Sequence, residues 1–115
     1  MPSLHHLALR TFDLERLLAF YTTWLDCPIA RDQRPRSIWL ALGPKAVLML
    51  EWAAPGEPTI PDRSLELVAF TVTPEERKRL RVRLVAAGML EWETEHTLYT
   101  RDPDGRRVGF SSYAF

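Results

Sequence analysis

The sequence is short of several features that would narrow its role at once. Only one cysteine, Cys27, stands in 115 residues, so no disulfide can close within the chain. A reduced, cytoplasmic setting is the simplest expectation. Cys27 precedes Pro28, and no single histidine is placed to activate it, so it reads as a small apolar residue rather than a nucleophile. Net charge is also missing, since 15 Lys and Arg offset 15 Asp and Glu. That balance excludes the broad basic field on which non-specific nucleic-acid binding rests. The longest basic stretch, Arg77-Lys78-Arg79 with Arg81 and Arg83, follows Glu75-Glu76 and reads as the solvated face of a helix. No apolar run nears the roughly 20 residues of a membrane span. The opening Met-Pro-Ser-Leu-His-His has no basic segment before an apolar stretch, so no secretory signal is expected.

What is present is a patterned chain, 46% apolar and long enough for one domain with a core. Residues 4–10 alternate as a short strand, with Leu7 and Leu9 on one face and His6, Ala8 and Arg10 on the other. Asp13 stands where an N-cap would, before Leu14, Leu17, Leu18, Tyr21, Trp24 and Leu25 at helical spacing. Pro28 ends that helix near Asp26. Two apolar strands, 37–42 and 46–52, flank Gly43-Pro44-Lys45 as a hairpin. Residues 31–36 carry no clear pattern. A seam over 53–62 holds Pro55, Pro58 and Pro61.

The pattern then starts again. A strand over 65–72 places Val68, Phe70 and Val72 on one face. Thr73, Pro74 and Glu76 spell a capping box with proline in the first turn. Leu80, Leu84 and Val85 supply the helix's buried stripe, and Gly88 terminates it. A short strand over 89–93 follows, then strands over 97–101 and 106–113 joined by Asp102-Pro103-Asp104-Gly105, a type I turn. The chain therefore reads strand, helix, then two or three strands, twice.

Several blocks now stand in order: His6-Leu-Ala-Leu, Asp13-Leu-Glu-Arg with Phe20-Tyr21, Trp39-Leu-Ala-Leu-Gly43, Leu48-Met-Leu-Glu51, Leu67-Val-Ala-Phe70 and Asp102-Pro-Asp-Gly105. Together they resemble the vicinal oxygen chelate superfamily, the glyoxalase, bleomycin-resistance and dioxygenase group, over nearly the whole chain. The resemblance implies an α+β fold. Two βαβββ modules, about 4–52 and 65–113 within one domain of 1–115, would form curved mixed sheets around a cleft. It also implies a homodimer. Metal-using members hold a divalent ion on first- and fourth-strand residues of both modules, and that ion is a Lewis acid or activates oxygen.

Carried over by position, the resemblance puts metal ligands at His6 and Glu51. The matching positions in the second module are Leu67 and Gly109, neither of which can bind a metal. One imidazole and one carboxylate fall short of the three or more protein ligands such an ion needs. Glu66 would need a β-bulge to turn inward, and His96 would have to lean in from just before a strand. His5 reads as a surface or helix-side residue.

The expectation is therefore a protein without a resident cofactor, whose cleft binds or sequesters a small hydrophobic or aromatic molecule. Alternation turns His6, Arg10, Met49 and Glu51 toward that cleft from the first module, and Leu67, Arg107, Gly109 and Ser111 from the second. Small residues at Ala69 and Gly109 would leave room for a flat ligand. Trp39, Tyr99, Tyr113 and one of Trp52 or Trp92 are candidate stacking walls. Trp52 shares parity with Leu48 and Leu50, which turns it toward the helices. Apart from a second copy, the expected partner is the small molecule alone, with no nucleic acid and no membrane. The alternative is a divalent-metal lyase or dioxygenase using His6, Glu51 and a non-standard third ligand.

Overall fold

Alternating leucines build the first sheet. In the computed structural model, which describes residues 2–58, 60–61 and 64–115, β1 (His6–Thr11) lies parallel to β4 (Ala46–Trp52). Antiparallel β3 (Ser37–Leu42) and β2 (Ile29–Gln33) complete the order β1-β4-β3-β2. The register sets Leu7 against Leu48, Leu9 against Leu50, and Ile38 and Leu40 against the same two β4 leucines. Ile38, Leu40, Leu48 and Leu50 are all fully buried. Each such side chain contributes about 1.5–3 kcal/mol of burial.

Helix α1 (Leu14–Trp24) covers that face with Leu17 and Tyr21, both fully buried. It starts where expected, with the Asp13 carboxylate accepting from Arg16 N at 3.1 Å. The β3–β4 hairpin turns through Gly43 at φ +63°, a conformation glycine adopts without strain. Strand β2 is the element the sequence pattern left open. Its Ile-Ala-Arg-Asp-Gln run is mostly exposed at a sheet edge, and its pairing shifts register between Ile29 and Arg31.

The second compact unit repeats this plan by itself. The chain divides at 59/60, inside the proline seam, into Met1–Thr59 and Ile60–Phe115. β5 (Leu67–Thr71) leads to α2 (Pro74–Ala86), then to β6 (Trp92–Glu93), β7 (Thr97–Arg101) and β8 (Arg107–Ser111). The order is β5-β8-β7-β6, with β5 parallel to β8 and the other pairs antiparallel. Phe110, Leu98, Val108 and Leu84 are fully buried.

Both halves of the capping box form, as Thr73 Oγ1 accepts from Glu76 N and Glu76 Oε1 from Thr73 N, each at 3.1 Å. Val85 departs from the expected stripe and is half exposed. Leu80 and Leu84 lie four apart on one face, whereas Val85 is turned about 100° from Leu84. The Asp102–Gly105 turn is fixed by Asp102, whose buried carboxylate accepts from the Asp104 and Arg106 amides and from Arg106 Nη1. The two open four-stranded mixed sheets are the expected βαβββ modules.

Candidate functional site

Each sheet has a second face that its helix does not cover. On the first, the register forms three rows: His6, Val47 and Ala41; Ala8, Met49, Trp39 and Arg31; Arg10, Glu51, Ser37 and Gln33. Trp39 is the centre of this face. The Arg31 guanidinium lies 5.2 Å from the Trp39 ring centroid. With its amide oriented to suit its neighbours, Gln33 accepts from Arg31 Nε and Nη2 and donates to Ser37 Oγ, each at 3.1 Å. Trp39 Nε1 is buried and has no acceptor among the described residues. Arg10 pairs with Glu57, which raises the Arg10 pKa and lowers that of Glu57 chiefly through their side-chain hydrogen bond. Glu51 also acts on Arg10 through its charge.

The second sheet has a matching face. Its rows are Leu67, Arg107 and Arg101; Ala69, Gly109, Tyr99 and Trp92; Thr71, Ser111 and Thr97. Trp92 stacks on Tyr99 with centroids 5.5 Å apart and planes 20° from parallel, and Arg107 lies 5.1 Å from the Tyr99 centroid. Ser111 Oγ accepts from Thr97 Oγ1 at 2.8 Å. Tyr113 lies past β8 rather than on the sheet, and its ring meets His96 at 5.5 Å and Phe115 at 5.9 Å.

Gly109 is closely surrounded on this face. It is buried, and a Cβ there would meet Ala69 Cβ at 3.3 Å, Thr97 Cγ2 at 3.4 Å and Leu67 Cδ1 at 3.5 Å. Ala69 would have to give by a few tenths of an ångström to admit a side-chain carbon at this position.

The family model of the Glyoxalase/Bleomycin resistance protein/Dioxygenase superfamily matches residues 3–110. The chain belongs to this superfamily. No curated protein sequence matches it. Among solved structures it is similar to a mutant fosfomycin resistance protein FosX from Listeria monocytogenes, complexed with Mn(II) and 1S,2S-dihydroxypropylphosphonic acid. That match is 16% identical over 100% of this chain and 93% of the other, with a TM-score of 0.81. It is also similar to a lactoylglutathione lyase from Agrobacterium tumefaciens, 19% identical over 95% and 92%, TM-score 0.70. An integron cassette protein from the mobile metagenome of the Halifax Harbour sewage outfall is 20% identical over 98% and 100%, TM-score 0.74. At these identities the likeness is one of fold.

Register now tests whether this superfamily member can hold a divalent ion at the positions the resemblance implied. His6 pairs with Val47, as Leu67 pairs with Arg107. Met49 pairs with Ala8, as Gly109 pairs with Ala69. The internal counterpart of Gly109 is therefore Met49, and Glu51 matches Ser111. Glu51 lies opposite Arg10, four residues along the strands from the His6 row, or about 13 Å of strand rise. Register does not bring His6 and Glu51 together.

Other donors do not fill the gap. His6 Nδ1 is 2.8 Å from Nδ1 of the exposed His5. Glu66 lies just before β5, is exposed, and donates its amide to Ser64 Oγ at 3.2 Å. His96 packs against Tyr113. Among the described residues no group of three or more His, Cys, Asp and Glu side chains is placed to hold a metal. The residues present do not fit the ion.

Sequence reasoning missed Arg31 and Gln33, because β2 had no apolar alternation to mark it. The available signal was the hairpin parity that sets Arg31 against Trp39 and Gln33 against Ser37.

Proposed function

We propose that this protein binds or sequesters a small hydrophobic or aromatic molecule on the helix-free faces of its sheets, without a metal cofactor. In this reading a second copy of the chain completes the binding cleft. One observation carries it. Both modules place an aromatic ring under a guanidinium: Trp39 and Tyr99 hold matching register positions, and Arg31 reaches Trp39 from β2 while Arg107 reaches Tyr99 from β8. Next to these rings stand the apolar Met49, Val47, Ala8, Leu67 and Ala69, with polar residues at the ends of both faces. An apolar floor with a few fixed polar groups is the usual make-up of a small-molecule site.

The orphan indole N–H of Trp39 supports the same reading. A buried donor left unpaired costs about 1–3 kcal/mol, which a ligand acceptor would recover. In the binding reading, His6 and Glu51 are polar contacts at opposite ends of the first face. A calorimetric screen of aromatic compounds tests the proposal. We expect micromolar binding that weakens about tenfold or more in Trp39→Ala or Tyr99→Ala. A folded protein that binds no aromatic compound, or binds equally well in both variants, contradicts it.

A second reading draws on the Mn(II)-bound FosX relative. In it, a divalent ion supports lyase or dioxygenase chemistry at His6, with donors other than Glu51, which lies four residues along the strands from the His6 row. Uptake of Ni²⁺, Zn²⁺, Mn²⁺ or Fe²⁺ at micromolar levels, lost in His6→Ala, would favour it.

A further inference from the structure

Three arginines of the second module are ion-paired with acids. Arg81 pairs with Glu93, Arg101 with Glu91, and Arg106 with Asp102 and Asp104. Arg107 differs. It is half-buried on the helix-free face and has no carboxylate partner among the described residues. Its strand neighbours are Leu67 on β5 and Arg101 on β7, and Arg101 is occupied by Glu91 and by the carbonyls of Ser64 and Gly105. Withdrawing an unpaired cation from water is unfavourable. The Tyr99 ring offsets part of that, and Trp92 stacked behind Tyr99 holds the ring in place. Arg31, the guanidinium over Trp39 on the first module, already has the Gln33 amide. Arg107 is thus a positioned guanidinium whose donors have no hydrogen-bond partner among the described residues, next to the exposed apolar side chains of Leu67 and Ala69.

We propose that Arg107, Leu67 and Ala69 form a subsite for an aromatic carboxylate. The carboxylate accepts from the Arg107 guanidinium, and the ring packs on Leu67 and Ala69. A planar fork of N–H donors matches a carboxylate in two parallel hydrogen bonds. Tyr99 and Trp92 are positioning residues that keep the fork in place. This proposal rests on the aromatic-binding reading above and narrows its ligand class.

The test compares 2-naphthoate with 2-naphthalenemethanol, a neutral compound of similar shape, by calorimetry on the full chain. The wild-type protein should prefer the carboxylate by about tenfold or more, as for a charge-assisted hydrogen bond. Arg107→Gln should bind both probes alike, and Arg107→Lys, which keeps the charge without the fork, should restore part of the preference. Equal binding by the wild-type protein overturns the subsite and leaves the general reading standing. So does a preference that Arg107→Gln leaves intact. Failure of both probes to bind the wild-type protein removes the subsite together with the reading beneath it.

Discussion

Gly109 and Asp102 are single residues whose neighbours dictate what they do. Gly109 is closely neighboured, since Ala69, Thr97 and Leu67 would stand 3.3–3.5 Å from a Cβ built there, so a side chain larger than a methyl must displace them. Gly109→Val should therefore destabilise the fold by about 1–3 kcal/mol, read as a lower urea midpoint. An unchanged midpoint would mean that the face is looser than described. Asp102 is the reverse case, a buried carboxylate made tolerable by full pairing. Its removal leaves the Asp104 and Arg106 amides and the Arg106 guanidinium without their acceptor. Asp102→Ala should cost about 3 kcal/mol or more by the same measurement.

Helix α2 shows how local signals specify an element. Its start rests on the reciprocal Thr73–Glu76 bonds, so Thr73→Ala should lower stability by about 1 kcal/mol. Its attachment rests on Leu84, fully buried, and Leu84→Ala should cost about 2–5 kcal/mol. Equal losses in thermal or urea unfolding would contradict this division of roles. Elements with such signals could be read directly from the sequence. The hairpin flanking Gly43, both N-caps and the Asp102–Gly105 turn all form at their expected residues. Strand β2 could not be read, because an edge strand of exposed residues has no apolar period. The site was legible by face but not by position. Alternation assigned Arg10, Met49 and Glu51 to one side of the first sheet, and the register agrees. Only that register reveals that Glu51 belongs to the Arg10 row, and that Met49 rather than Glu51 is the counterpart of Gly109.

At the scale of the molecule, two βαβββ modules follow one another in 115 residues, and each presents one face that its own helix leaves uncovered. No helix among the described residues is long and apolar enough to cross a membrane. The proposed homodimer predicts a light-scattering mass of twice the 13.3 kDa chain, and a monomer at all concentrations would contradict it. The central claim is that ligand binding here does without a divalent ion. It rests on the donors present: His6 has no partner set in its row, and Leu67, Met49 and Gly109 hold the matching positions. Metal content tests this most directly, measured by plasma mass spectrometry on protein grown in metal-supplemented medium and purified without a chelator. The account predicts far less than one divalent ion per chain, and 2-naphthoate binding that is unchanged by EDTA. One ion per chain, lost in His6→Ala and required for ligand binding, would contradict it.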